Sequence, residues 1–268
     1  MASSSSEFDP TLLQAISQRR LVPFVGAGVS VGVNKPRAKK KFLTWTELLT
    51  KLALTLSSKK KSAPAKFVKA AVEAKEWSMA AETALTHLGK SDFTRCVVDA
   101  VSVPRDCWDL SLPKAIWKLN PRVVVTTNYD HVLHSSAEQT NPLLVRNNCF
   151  NELRTLFSSS ESRPAVWHLH GHMDTQESLI LAPSQYQPLY SALGNSQSEF
   201  NAAALKLQEL FSDKPILFIG FSMTDGYVLD AITKAMTTFR GNTEQRWALL
   251  KEGEHEEEHL WRRFGVQV

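Results

Sequence analysis

The chain has 268 residues, 43% hydrophobic and 22% charged, with a formal net charge of +4. This is a soluble globular composition, long enough to bury roughly 70 to 75% of the surface its unfolded form exposes, so general disorder is excluded and no metal or disulfide staple is required. No apolar run approaches the roughly 20 residues of a bilayer-spanning helix, and residues 1–8 have neither a basic nor an apolar leader segment, which points away from membrane or secretion and towards the cytoplasm.

Residues 1–8 are predicted to be a disordered tail. Asp9-Pro10 ahead of Leu12, Leu13 and Ile16 supplies an N-cap and a first-turn proline, so residues 9–19 are predicted helical. Residues 21–25 form a short apolar run closed by Gly26-Ala27-Gly28, a buried strand entering a tight loop. Residues 35–41 and 59–61 carry the basic clusters. They read as solvated loops between helices; attraction of polyanions is the other reading, and no nucleic-acid function is built on it. Thr44-Trp45-Thr46-Glu47 has capping-box spacing ahead of Leu48, Leu49, Leu52 and Leu56, and helical patterns then dominate to about residue 118.

Residues 122–127 are β-branched and continuous, as in a strand buried on both faces of a parallel sheet. Further short apolar runs follow at 165–169, 179–181, 215–219 and 247–250, separated by helical stretches such as Phe200, Ala203, Ala204, Leu207, Leu210 and Phe211. Serine-rich residues 158–162 read as a surface loop. This alternation predicts an α/β fold, a doubly wound Rossmann-like parallel sheet. The stretch between the first two strands is too long for one crossover. Residues 44–118 therefore read as an inserted helical subdomain within a single domain, 9–268, whose core is 9–43 and 119–268. Cys96, Cys107 and Cys149 cannot all pair and lack close ligand spacing, so they read as reduced, buried small hydrophobes.

Several segments carry chemistry. Gly26-Ala27-Gly28-Val29-Ser30, directly after a strand, presents unshielded amides to a ligand phosphate, with a purely structural turn as the alternative. The dinucleotide fingerprint fails because Val31 holds its last glycine position and Glu47, about 20 residues on, lies in a helix start. Gly28-Val29-Ser30-Val31-Gly32 also spells the nucleophile elbow of α/β-hydrolases, and Asp130 and His170 follow in triad order. That reading is disfavoured because Ser30 lies too far past the strand and residues 34–41 are too basic to supply the helix. His255-Glu256-Glu257-Glu258-His259 matches a zincin pattern without a downstream third ligand and reads as a solvated helix. Gly89-Lys90-Ser91 has a P-loop tail, but Ala84 stands where the first glycine belongs. His168, His170 and His172 alternate, and in a strand they would share one face, with Asp174 the nearest carboxylate; no metal site is predicted from them.

Thr126-Thr127-Asn128-Tyr129-Asp130 ends a buried strand, so Asn128 and Asp130 emerge at the C-terminal edge where open α/β sheets bind ligands; capping of the next helix is the plainer alternative. Residues 167–172 and 218–225 repeat the arrangement with His170 and with Gly220, Ser222 and Asp225. Three polar strand ends and one glycine turn thus converge on one edge.

Taken in order, Gly26-Ala27-Gly28-Val29-Ser30, Thr127-Asn128-Tyr129-Asp130, His170-Gly171 and Gly220-Phe221-Ser222 resemble the sirtuin-like superfamily. They are closest to its NAD-consuming branch, found in prokaryotic antiviral defence and related eukaryotic proteins. Residues 45–49, 220–225 and 264–268 fit the same branch, and the resemblance spans residues 20–268. It implies NAD as substrate, with Gly26, Ala27, Gly28 and Ser30 holding the pyrophosphate, Gly220 and Ser222 lining the adenine ribose and Thr127 among the NAD-binding residues. It further implies that Asn128 places a water or a ribose hydroxyl, that Asp130 contacts the nicotinamide side and that His170, followed by glycine, is the base. His168 is the competing histidine. Cleavage builds positive charge on the sugar and releases a neutral pyridine, so one base and one positioning amide suffice.

Deacylases of the superfamily carry two Cys-x-x-Cys pairs after the His-Gly, holding a structural zinc. No cysteine follows Cys149 in this chain, so no zinc is expected and a peptide cleft is disfavoured. The expected activity is NAD hydrolysis to nicotinamide and ADP-ribose. Protein deacylation, ADP-ribosyl transfer and non-catalytic NAD or ADP-ribose binding are the other readings. Because unrestrained NAD hydrolysis is toxic, the resemblance also implies an effector held silent until it assembles as a homo-oligomer or meets a separate sensor or activator subunit.

Overall fold

The computed structural model describes residues 8–138, 140–158, 163–250 and 257–268. The expected tail up to residue 7, most of the serine-rich loop and the His255-Glu256 half of the zincin-like motif lie outside the described residues. Seven strands, β1 (Val22–Val25), β2 (Val123–Thr126), β3 (Leu143–Val145), β4 (Ala165–His168), β5 (Ile216–Ile219), β6 (Arg246–Leu249) and β7 (Val266–Gln267), pair in parallel in the order β3-β4-β2-β1-β5-β6-β7. From β1 the chain builds outward first through β2 to one edge and then through β5 to the other. This is the doubly wound, Rossmann-like α/β sheet expected, and its switch point lies at the C-terminal ends of β1, β2 and β5. All four residues of β1, β2, β4 and β5 are buried, which is why these runs are apolar on both faces.

Thirteen α-helices surround the sheet among the described residues: α1 (Pro10–Ser17), α2 (Ala27–Gly32), α3 (Trp45–Ser58), α4 (Ser62–Glu73), α5 (Trp77–Leu88), α6 (Lys90–Val101), α7 (Ser111–Lys118), α8 (Val132–Ser136), α9 (Phe150–Thr155), α10 (Pro183–Tyr190), α11 (Asn201–Asp213), α12 (Gly226–Thr238) and α13 (Glu257–Phe264). Local chemistry sets the starts of two of them. Asp9 accepts the Thr11 amide ahead of Pro10, and Thr44 and Glu47 form a reciprocal capping box.

On one sheet face Phe24, Val125, Trp167 and Phe218 pack with Leu153, Leu189, Leu207 and Ile232. On the other, Val25, Val124, Val166 and Ile219 pack with Leu12 and Ile116, so α7 joins the sheet's own core. Helices α3 to α6 enclose a separate core of Leu49, Leu52, Leu56, Val68, Ala84 and Phe93. None of the helices is long and apolar enough to cross a membrane, among the described residues.

Two local expectations are corrected. Residues 179–181 form no strand; Leu179 and Leu181 are apolar because they plug the α3–α6 core. The loop expected after β1 is helix α2, beginning at Ala27. The three-residue β3 and the proline-containing α10 carry too little periodicity to read from sequence. Several lysines of the basic clusters face protein partners: Lys40 pairs with Asp99, Lys59 with Asp92, and Lys35 donates to the Asp106 carbonyl.

Candidate active site

The end of β1 meets the end of β5 backbone to backbone. The Gly26 amide donates to the Ile219 carbonyl at 3.0 Å and the Gly28 amide to the Gly220 carbonyl at 2.8 Å. A Cβ on Gly26 or Gly28 would stand 2.6 or 2.8 Å from the Gly220 carbonyl oxygen, and one on Gly220, whose φ is +62°, 2.6 Å from the Val29 nitrogen. These glycines therefore permit a close crossing of two chain segments. The expected phosphate role of the glycine amides is corrected to that extent, since two of them are bonded within the protein; Ala27 and Gly28 remain exposed at the rim. The Thr127 amide likewise reaches the Val25 carbonyl, at 3.3 Å.

Ser30, Asn128 and Asp130 form one buried network at this crossing. The Asn128 Nδ2 donates to the Gly26 carbonyl at 3.0 Å and to Ser30 Oγ at 2.8 Å, and Ser30 Oγ donates to Asp130 Oδ2 at 2.6 Å. Asp130 Oδ1 accepts the Val132 amide at 2.9 Å, so Asp130 also secures the start of α8. Burial pushes the Asp130 carboxyl above the ordinary range, opposed by the Ser30 and Val132 bonds. The hydrolase reading of Ser30 fails on this geometry: Ser30 sits inside α2 and gives its proton to a carboxylate, and no histidine accepts from it.

His170 stands at the end of β4 in an aromatic enclosure. Its Nε2 lies 2.9 Å from the Tyr190 hydroxyl, and its ring meets Tyr186 edge-on at 4.8 Å, with Tyr186 stacked on Tyr227 at 4.6 Å. Burial holds the imidazole down at about 4, against a smaller upward pull from the Asp225 carboxylate, so the ring is neutral near pH 7. Asp225 caps α12 through the Tyr227 and Val228 amides. Gly171, at φ +90°, leaves a Cβ only 2.2 Å from the Ser178 carbonyl oxygen, which explains why glycine follows this histidine. Among the described residues no hydrogen bond joins Asn128 to His170. The two are linked through Tyr129, whose hydroxyl donates to the Ile180 carbonyl at 2.7 Å, and the Ile180 amide, which donates to the His170 carbonyl at 2.9 Å. Ser222 is exposed and pairs with Thr224 at 2.7 Å.

Residues 122–268 match the model of the SIR2-like domain. The chain belongs to the SIR2-like family. SIR2-like domains use NAD, and the matched segment contains Thr127, Asn128, Asp130, His170, Gly220 and Ser222; Gly26 to Ser30 precede it. No curated protein matches this SIR2-like chain. A four-thiolate zinc site cannot be built from its three cysteines, of which Cys96 is buried beside Thr55.

The histidines of this SIR2-like chain do not share one face as their alternation suggested, because β4 ends at His168 and the chain turns there. His168 and His172 gather with His131 and His134, while His170 turns to the tyrosines. Sequence reasoning missed Tyr186, Tyr190 and Tyr227 around His170. Tyr186 and Tyr190, one helical turn apart, were the available clue.

Proposed function

We propose that this SIR2-like chain hydrolyses NAD to nicotinamide and ADP-ribose. The observation that carries the reading is the Asn128 side chain, which ties the β2 end to the first glycine turn and to Ser30 at the switch point of the sheet. Its Nδ2 is committed to the frame, which leaves Oδ1 to hold the attacking water or a ribose hydroxyl. Breaking the C1′–N1 bond sends the electron pair to the pyridinium nitrogen, so nicotinamide leaves neutral. Water oxygen bonds to C1′, and its proton passes to Nε2 of neutral His170 and then to solvent. The Tyr190 hydroxyl occupies Nε2, so substrate must displace it. The Asp130 carboxylate behind Ser30 favours positive charge on the ribosyl group. Gly26, Ala27, Gly28, Ser30 and Thr127 border the pyrophosphate, and Gly220 and Ser222 the adenine ribose.

The second reading is NAD or ADP-ribose binding without turnover, favoured by one observation: His170 is held at about 4 with Nε2 already paired. The lack of cysteines after Cys149 weighs against a deacylase. We further propose that the protein is a cytoplasmic defence effector, silent until self-assembly or a separate activator subunit switches it on. Light scattering with and without NAD tests the assembly, and a strict monomer with full turnover overturns it.

Chromatography of NAD incubated with wild type, Asn128→Ala and His170→Ala proteins tests the chemistry. Both variants are expected to melt cooperatively and lose nicotinamide release, His170→Ala by about 100- to 10,000-fold. Full activity in either removes that residue from the mechanism, and nucleotide binding with no release by the wild-type chain in its assembled as well as its unassembled state establishes the second reading.

A further inference from the structure

We propose that His134, His168 and His172 form a binding site for one divalent transition-metal cation of the zinc class, beside the NAD site and independent of the NAD reading. The three come from separate segments: His134 from α8, His168 from the last position of β4 and His172 from the loop beyond it. One ring nitrogen of each lies within 4.8 Å of one from each of the others. The Nε2 atoms of His134 and His168 are 3.1 Å apart, close to the roughly 3.3 Å that separates two ligands around a tetrahedral zinc with bonds of about 2.0–2.1 Å.

The protonation pattern suits a metal. His168 Nδ1 lies 2.8 Å from the Asn128 carbonyl, which only accepts, so the proton sits on Nδ1 and the Nε2 lone pair points into the cluster. An outer carbonyl on one ring nitrogen with the other aimed at the cation is how metal-bound histidines are oriented. Without a metal, His134 Nε2 must donate to His168. His172 is fully buried, and its Nε2 has no hydrogen-bond partner among the described residues. Its Nδ1 accepts the Asp174 amide at 3.3 Å, and Asp174 Oδ2 lies 3.7 Å from the same nitrogen, positioned to take the Nδ1 proton when Nε2 binds metal. An orphaned buried imidazole nitrogen beside two facing ones is costly to leave unmatched, and a cation matches all three.

A cation here would fasten the β2–α8 loop to the β4 loop. The first carries Asn128 and Asp130, and the second carries His170 between two ligands. His131 and Asp174, 3.0 Å apart, lie at the outer side of His172 and form the outer shell.

The test uses the tag-free full chain, stripped with chelator, titrated with Zn²⁺ by calorimetry and with Co²⁺ by visible absorption. One equivalent should bind, with the intense absorption of tetrahedral Co²⁺ and a rise in melting temperature. His134→Ala, at a half-buried position, and His172→Ala should each weaken Zn²⁺ binding by more than about 100-fold, and His131→Ala, in the outer shell, by less, about 10- to 100-fold. Exposed His87→Ala should change nothing. Absence of stoichiometric binding, affinity retained in His134→Ala, or loss that follows His131→Ala and Asp174→Asn instead would overturn the site.

Discussion

At the end of β2, Asn128 and Asp130 close a hydrogen-bond circuit with Ser30 and Gly26. At the end of β4, paired to β2 in the sheet, His168 and His172 face His134 with an imidazole nitrogen left over. The first arrangement ties the ends of β1 and β2 to α2 and holds its shape in advance, as a frame for positioning substrate should. The second leaves an imidazole nitrogen unmatched among the described residues, and His170, between two of its histidines in sequence, turns away to Tyr190. One rim therefore combines a finished polar frame with a histidine cluster that still has bonding capacity, and the difference reflects what each strand end has within reach: a glycine turn and a serine, or other imidazoles.

The comparison can be broken most severely at the frame's backbone. Gly220→Ala should destabilise the fold by about 3 kcal/mol or more, because its Cβ would meet backbone from a residue already at positive φ; denaturant unfolding measures it, and a loss below about 1 kcal/mol would mean the crossing gives way. Asn128→Ala should cost about 1–3 kcal/mol in the same assay, since the Gly26 carbonyl loses its donor. Ser30→Ala should cost about 1 kcal/mol by removing one bond to Asp130 while leaving the Val132 bond in place.

Acidification distinguishes the strand ends by a gentler route. Burial depresses His134 and His170 to about 4 from the ordinary imidazole value of 6.5, so between these values the unfolded chain takes up protons that the folded one refuses. The stability of the metal-free protein should therefore fall as the pH is lowered from about 6.5 to 4, seen as a steadily lower melting temperature. A flat profile would mean the rings are solvated. The smallest effect expected is that of Tyr190→Phe, which frees His170 Nε2 without disturbing the frame: nicotinamide release should hold or rise a few-fold, and a drop of about 100-fold would make Tyr190 part of the chemistry.

Much of the site was legible in the residues because strand ends announce themselves. A β-branched run that stops in Asn-Tyr-Asp, or an apolar run that stops in Gly-Phe-Ser, places its polar residues at the C-terminal edge whatever surrounds it. The glycines were legible as necessary but not as to purpose: sequence suggested room for a phosphate, while the crossing with Gly220 needs the room for backbone. The histidines misled for a related reason. Alternation predicts a shared face only while the strand lasts, and β4 ends at His168.

Local sequence alone determined the strands with two buried faces, the capped starts of α1 and α3, the α/β class and the membership of Asn128, Asp130 and His170 in one rim, because periodicity, capping and strand ends are properties of adjacent residues. Only the tertiary structure decided that Ser30 belongs to Asp130 and Asn128, that tyrosines from α10 and α12 enclose His170, and that His134 reaches His168. Those pairings join residues 98, 100, 20 and 34 positions apart, and nothing local specifies which distant side chain will meet a buried polar group; the packing of the sheet and its helices does.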